Sequence, residues 1–454
     1  MIAPARVAAY EVLRVVGGGR QDLPQALARV RPGLADERDR ALTGEIALGT
    51  LRWQAALDHL VVGAAGRPAS RLDPEVLTIL RMTIFQVLHL DRVPASAAVN
   101  DAVSLAKRAG KRSAAPLVNA VLRRVSRQRD RASLPGRPSD PDESAAVHAY
   151  LETTLSHPGW LVDRWLSRHG FEATEAWEGF NNAPAPLTLR INRLRTTQEA
   201  VVRALADEGV QVAPGRFATD ALIVVEGNPL LTSMAETGSF FVQDEASQLV
   251  AEFAAARPGE RILDACASPG GKTTAMAAAM GDVGLVVATD LRGRRVDLLA
   301  RTVAASGARC IRVLRANAEE PLPFRARFDA VLVDAPCSGL GIIRRDPDVK
   351  WRRTEADFAP LAAAQRRLLH QAAQVVRPGG RLIYATCSSE PEENDEVVQA
   401  FLEVEPGFRS AAPPPLPPAA AALVDAAGRL RTLPHRDGLE AFFAATLVKT
   451  ANSQ

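Results

Sequence analysis

The stretch from Arg261 to Met280 constrains the fold more than any other. Arg261-Ile262-Leu263-Asp264-Ala265 carries the apolar run of a buried strand. Cys266-Ala267-Ser268-Pro269-Gly270-Gly271-Lys272-Thr273-Thr274 turns the chain, and Ala275 to Met280 starts a helix. A strand, a glycine-rich turn and a helix make the cofactor corner of an open α/β sheet. Glycine lets a ligand approach the backbone, and the helix N-terminus leaves N–H groups unpaired. The next strand, Leu285-Val286-Val287-Ala288-Thr289-Asp290, ends on an acid. That acid stands about 20 residues after the glycines, where a carboxylate accepts from both ribose hydroxyls.

The residue types narrow the ligand. Gly271-Lys272-Thr273 fits the end of a phosphate-binding loop, but Cys266 stands where the opening glycine belongs and Pro269 stiffens the turn. A nicotinamide cofactor wants G-x-G-x-x-G, which this turn lacks. A 2′-phosphate is repelled by Asp290. An adenosyl ligand without phosphates fits better, because a positive sulfonium tolerates neighbouring carboxylates. The expected ligand is S-adenosylmethionine.

Two thiols follow. Ala330-Val331-Leu332-Val333 and Leu382-Ile383-Tyr384-Ala385 read as buried parallel strands, bounded by turn residues. The first leads into Asp334-Ala335-Pro336-Cys337-Ser338-Gly339 and the second into Thr386-Cys387-Ser388. Chemistry in open α/β sheets sits at the carboxyl ends of strands. Cys337, Cys387 and Asp334 are therefore expected to meet in one crevice. A single cysteine is usually a small core residue, but two in such settings beside a glycine loop point to function.

The first 134 residues read as all helical. Leu42, Ile46, Gly49, Trp53, Leu57 and Leu60 follow helical spacing as one stripe. Asp73-Pro74 reads as a cap and first-turn proline opening a helix through Leu88, and Val99, Val103 and Ala106 continue the pattern in another. Lys107, Arg108, Lys111, Arg112, Arg123, Arg124, Arg127, Arg129 and Arg131 cluster with Asp130 as the one acid among them. Such a run is either a solvated helix face or a phosphate-contacting one. Residues 135–150, rich in proline and poor in large apolar groups, read as a linker. Within 151–236, Leu187 to Asn192 alternates like a strand, Thr196 and Glu199 form a capping-box pattern before Val201, and Ala221 to Val225 is another strand. Strand, helix, strand is expected to be a small α/β subdomain of ferredoxin-like type. Residues 237–451 make the last domain, with a proline-rich surface loop at Pro413 to Pro418.

Two resemblances carry these readings further. Gly44 to Trp53, Ala98 to Val103 and Val118 to Arg123 give the first segment a similarity to the NusB-type RNA-binding helical domain. Asp264 to Thr274, Asp334 to Gly339, Arg344-Arg345-Asp346-Pro347-Asp348-Val349-Lys350-Trp351 and Thr386-Cys387-Ser388 resemble the RNA cytosine-5 methyltransferases, over about residues 156 to 449. The likeness implies a Rossmann-like class I methyltransferase domain that uses S-adenosylmethionine and no metal. It implies cofactor contacts by Cys266, Ala267, Ser268, Pro269, Gly270, Gly271, Lys272, Asp290, Asn317 and Asp334. It implies Cys387 as nucleophile and 16S ribosomal RNA as substrate, at a cytosine numbered 967 in that RNA, which leaves the second thiol, Cys337, as the group that helps release. An early small-subunit assembly intermediate is a further expected partner. Two positions depart from the family: Asn317 replaces an acid and Ser268 an alanine. An amide oxygen still accepts from an adenine amino group.

The chemistry needs these groups. Cytosine C5 is a poor nucleophile until a thiolate adds to C6, and an acid at N3 favours that adduct. Arg344, Arg345, Lys350 and Trp351 read as a basic, aromatic-bearing loop that contacts RNA; the alternative is a solvated loop with Trp351 as a packing anchor. Two other function classes stay open: a tRNA cytosine-5 methyltransferase, and a non-catalytic assembly factor with a silent methyltransferase fold. Four cysteines in 454 residues argue against a disulfide framework and for reduced, cytoplasmic thiols. No apolar run is long enough for a signal peptide core or a membrane span, so neither is expected.

Overall fold

The structure, a computed structural model, describes residues 2–128, 134–325 and 327–450. Arg129, Asp130 and Arg131 of the basic cluster lie outside them. The chain divides into two compact units: 1–184 with 343–353, and 185–342 with 354–454. Among the described residues, no helix is long and apolar enough to cross a membrane.

The first unit is helical. The stripe from Leu42 to Leu60 is divided between two helices, Glu37–Arg52 and Gln54–Ala65. Trp53 interrupts them at φ −103°, ψ 20°, so the stripe turns a corner. The helix Pro74–His89 begins where proline sets it, but the Asp73 side chain pairs with Lys111 at 3.1 Å rather than capping. Helices Ala95–Arg108 and Ala115–Arg127 complete a core around Ile46, Leu57, Ile79, Leu80 and Val118. The segment expected as a linker is helical from Ser144 onward. Residues 159–182 are helical too, broken at Gly170 (φ 75°, ψ 177°), and Trp165 stacks on Trp177 with ring centroids 4.7 Å apart.

The second unit holds two sheets. The smaller is antiparallel, built from β1 (Thr188–Ile191), β2 (Gln211–Pro214), β3 (Ala221–Glu226) and β4 (Phe240–Val242) in the order β2-β3-β1-β4. The helix between β1 and β2 starts one residue later than the Thr196–Glu199 pattern implies. Its cap is Thr197, whose Oγ1 accepts from Ala200 N at 3.3 Å.

The larger sheet positions the site. Its strands are β5 (Arg261–Asp264), β6 (Leu285–Asp290), β7 (Ile311–Arg315), β8 (Phe328–Asp334), β9 (Val376–Thr386), β10 (Phe408–Ser410), β11 (Leu430–Arg431) and β12 (Phe443–Lys449). The order is β10-β12-β9-β8-β5-β6-β7, with β11 against β12. β9, β8, β5, β6 and β7 run parallel, while β12 lies antiparallel against β9. The chain walks from β5 outward through β6 to β7, then crosses to β8 on the other side of β5. Strand order reverses there, and the carboxyl ends of β5 and β8 open a crevice at the switch point. The sheet is buried on both faces, with Leu263, Val331 and Tyr384 in one layer and Ile262, Ala288 and Ile383 in the other. This is the Rossmann-like architecture expected, with the four-stranded antiparallel sheet of ferredoxin-like order and the helical segment preceding it in the chain.

Candidate active site

The glycine loop leaves β5 and enters the helix Gly271–Ala279. Gly270 adopts φ +107°, a conformation side chains disfavour, and a Cβ there would stand 2.9 Å from Leu299 Cδ1. Ala267 N donates to Thr289 O at 2.8 Å, which lays the loop along β6. Asp264, at the end of β5, is fully buried. Its Oδ2 accepts from Thr273 Oγ1 at 2.7 Å, while Oδ1 has no partner. Burial pushes its carboxyl up to about 7; the Thr273 bond works the other way, and Asp334 adds to the rise. The Cys266 thiol is pushed up as well, by burial first and then by Asp264, Asp334 and Asp290. Asp264, Asp334 and Asp290 all act on the Cys266 thiol in the glycine loop.

Asp290 is buried at the end of β6. Arg295 Nε lies 3.2 Å from Asp290 Oδ2, and Arg295 Nη2 donates to Ser268 O at 2.7 Å. Arg295 thus ties the acid to the glycine loop, a role that no motif announces. Asn317 lies just beyond β7, where Ala316 N donates to Asp290 O at 3.2 Å. The amide oxygen accepts from Glu319 N at 3.1 Å and the amide nitrogen donates to Glu320 Oε1 at 2.9 Å. Asn317 therefore shapes its own turn.

These residues fit an adenosyl ligand. The orphaned Oδ1 of Asp264 is a buried acceptor awaiting a donor, and the helix beginning at Gly271 has no side-chain cap over its first N–H groups.

The two cysteine loops close the other side. β8 and β9 pair in register with Asp334 opposite Ala385, and Ala335 N donates to Ala385 O at 2.8 Å. That register carries Cys337 and Cys387 past adjacent strand ends, and their sulfurs stand 3.3 Å apart as free thiols. The separation is contact without a bond, since a disulfide needs about 2.0 Å. The hydrogen bond with Cys387, then burial, then the negative charges of Cys387 and Glu393 raise the Cys337 thiol well above its usual range. Lys272 Nζ lies 2.7 Å from Asp334 Oδ2. Burial alone would lower the Lys272 ammonium, but Asp334, Cys387 and Asp264 outweigh it and raise it.

Beneath the thiols lies a polar clasp that the motifs do not announce. Glu393, fully buried, accepts from Ser338 N at 2.7 Å, Ser338 Oγ at 2.5 Å, Ser388 Oγ at 2.6 Å and Gln365 Nε2 at 3.1 Å. The signal available in sequence is the repeat of Cys-Ser at 337–338 and 387–388.

The basic loop after Cys337 is held by hydrogen bonds within the first unit. Lys350 is fully buried inside the first unit, with Nζ donating to Arg52 O at 3.0 Å. Trp351 Nε1 donates to Leu51 O at 2.6 Å. Arg344 spends its guanidinium on Ala183 O (3.2 Å), Pro184 O (2.6 Å) and the Phe180 ring. Arg345 is half-buried in the same segment. Lys350 and Trp351 are structural anchors, because apolar residues with helical spacing leave carbonyls at the Arg52–Trp53 break for them to satisfy.

Known proteins resemble this chain along its length. Residues 251–448 match the family 16S rRNA methyltransferase RsmB/F, residues 4–127 the NusB family, and residues 157–230 the ferredoxin-like domain of RsmF/B-like methyltransferases. The ribosomal RNA small subunit methyltransferase B of Pseudomonas putida is 35% identical over 99% of both chains. That of Vibrio cholerae is 33% identical over 98% of this chain and 97% of its own. The crystal structure of PH0851 superposes with a TM-score of 0.81 over 99% of both chains, at 26% identity. A cofactor corner, two thiols at neighbouring strand ends and full-length relatives converge: the chain belongs to the RsmB/F family of 16S rRNA methyltransferases and is an S-adenosylmethionine-dependent RNA methyltransferase.

Proposed function

We propose that this enzyme methylates C5 of one specific cytosine in 16S rRNA through a covalent adduct between Cys387 and C6. The observation that carries the reading is the 3.3 Å separation of the Cys337 and Cys387 sulfurs at the mouth of a crevice that also holds the Lys272–Asp334 pair. A reaction that only positioned an acceptor nitrogen or oxygen would need neither thiol.

S-adenosylmethionine, held by the turn from Cys266 to Lys272 and by Asp290, supplies an electrophilic methyl group. Cys387 adds as the thiolate to C6 of the flipped base, its proton passing through Asp334 to N3, and the pair of electrons displaced from the C5–C6 bond makes C5 enamine-like. Asp334 shares a proton with N3 and stabilises the adduct, and Lys272 holds the carboxylate in place. After methylation the C5 proton must leave. Cys337, whose sulfur lies 3.3 Å from that of Cys387, first gives its own proton to solvent and as the thiolate takes the C5 proton. The C6–S bond then breaks and the Cys387 thiolate is expelled.

The test is nucleoside analysis of a 16S rRNA transcript after incubation with the purified enzyme and S-adenosylmethionine carrying a labelled methyl group. The label is expected in 5-methylcytidine at a single position. Label in another nucleoside contradicts the reading.

A further inference from the structure

Glu393 sits outside every motif that carries the reaction, yet it is bonded to both cysteine loops. Its Oε2 accepts from Ser338 Oγ at 2.5 Å and from Ser388 Oγ at 2.6 Å, and these serines directly follow Cys337 and Cys387. Its Oε1 accepts from Ser338 N at 2.7 Å and from Gln365 Nε2, which also reaches Pro336 O at 3.0 Å. The main chain of the same residue is held too: Tyr384 OH donates to Glu393 O at 2.5 Å. All of this is buried, with Glu393, Ser338 and Ser388 at 0–1% exposure.

A buried carboxylate held by four donors is costly to assemble and is kept only where its geometry is needed. Ladder pairing of β8 and β9 ends at Asp334 and Ala385, and beyond it one backbone bond, Gly341 N to Cys387 O at 3.0 Å, ties the two loops, leaving the rest to side chains. A short hydroxyl-to-hydroxyl contact, Ser338 Oγ to Ser388 Oγ at 3.2 Å, joins them, and the one carboxylate oxygen bridges both. We propose that Glu393 is a positioning residue that sets the separation of the Cys337 and Cys387 thiols, and thereby governs release of the methylated RNA more than attack on it. The proposal rests on the roles given to the two thiols above. Attack needs only the Cys387 sulfur, which is free to adjust to the base. Release needs Cys337 at the C5 proton of an adduct already fixed to Cys387, so it is the step that suffers when the loops drift.

Glu393→Gln keeps the size and one acceptor for Ser338 N, whereas Glu393→Ala removes the bridge. Two readouts are taken on the full-length protein, with S-adenosylmethionine affinity as the control for an intact cofactor corner. The first does not involve RNA: the rate at which diamide joins Cys337 to Cys387. In that probe reaction both thiols lose a proton and an electron, diamide takes both pairs to become the hydrazine, and the S–S bond is read by peptide mass spectrometry. Glu393→Ala is expected to slow it at least tenfold and Glu393→Gln by less. The second is the fraction of enzyme held as a denaturation-resistant protein–RNA adduct during turnover. It is expected to rise at least fivefold in Glu393→Ala, and by less in Glu393→Gln. Should Glu393→Ala not fold, the two shifts in Glu393→Gln decide alone. The proposal is overturned if diamide joins the thiols at the wild-type rate, or if adduct does not accumulate. Failure of the underlying reading looks different: Cys387→Ala would still methylate RNA, whatever Glu393 does.

Discussion

Lys272 Nζ and Asp334 Oδ2 stand 2.7 Å apart, so one ion pair joins the helix that follows the glycine loop to the strand end that precedes Cys337. Removing the cation leaves a carboxylate, 29% exposed, without its partner. Lys272→Met is therefore expected to cost on the order of 1–3 kcal/mol in stability and to lower kcat at least tenfold. The pH dependence has a definite sign. The Lys272 ammonium is raised above its ordinary 10.5, so its contribution is complete below that value and is lost as pH rises through the folded-state value. Thermal melts across the alkaline range should show wild type losing its advantage over Lys272→Met only above pH 10.5.

Gly341 makes a close backbone approach beside the nucleophile loop. Gly341 N donates to Cys387 O at 3.0 Å, and a Cβ at this position would stand 2.0 Å from Ala441 O and 2.8 Å from Cys387 O. Backbone cannot give way as a flexible side chain does. Gly341→Ala is expected to cost about 1–3 kcal/mol and to reduce methyl transfer at least tenfold, measured by denaturant melts and initial rates.

Arg123, Arg124 and Arg127 are exposed along the helix Ala115–Arg127, together with Lys107, Arg108 and Arg112 nearby. Neutralising the three helix arginines should weaken 16S rRNA binding while leaving S-adenosylmethionine affinity unchanged. The salt slope of log K should fall by roughly 0.7–0.9 for each phosphate that the helix no longer neutralises. Filter binding over a salt series measures both.

Lys350 offers a second titration with the opposite sign. Burial drives its ammonium down to about 7, against the pull of Glu178. The unfolded chain therefore binds more protons between about pH 7 and pH 10.5, and wild-type stability rises with pH across that window. Lys350→Met is expected to melt a few degrees higher than wild type near the lower end of the window. Its advantage should shrink toward the upper end, because wild-type stability rises across the window while the missing bond to Arg52 O is a constant cost to the variant.

What the sequence makes legible follows from chain-local signals. The turn from Cys266 to Thr274, the acid at Asp290 and the two thiols after apolar runs are local patterns, and the structure collects them at neighbouring strand ends. The break at Trp53 is not local: the apolar stripe continues across it, and only packing bends the helix there. Lys350 and Trp351 look like a nucleic-acid loop because charge and aromaticity are visible in sequence, whereas burial against Leu51 and Arg52, some 300 residues away, is not. Glu393 and Arg295 escape a reading of the sequence for the same reason. Each acts through partners on another element, Ser338 for the one and Ser268 for the other.

The central claim is that Cys387 makes the bond to RNA and Cys337 helps break it. The most direct measurement is a denaturing gel of Cys337→Ala, Cys387→Ala and the double variant, each incubated with 16S rRNA and S-adenosylmethionine. Peptide mass spectrometry locates the nucleotide in any slow band. The account predicts a slow protein–RNA band in Cys337→Ala, linked through Cys387, and no methyl transfer or band in Cys387→Ala or in the double variant. A band in Cys387→Ala with normal turnover in Cys337→Ala would contradict it and assign the nucleophile to Cys337.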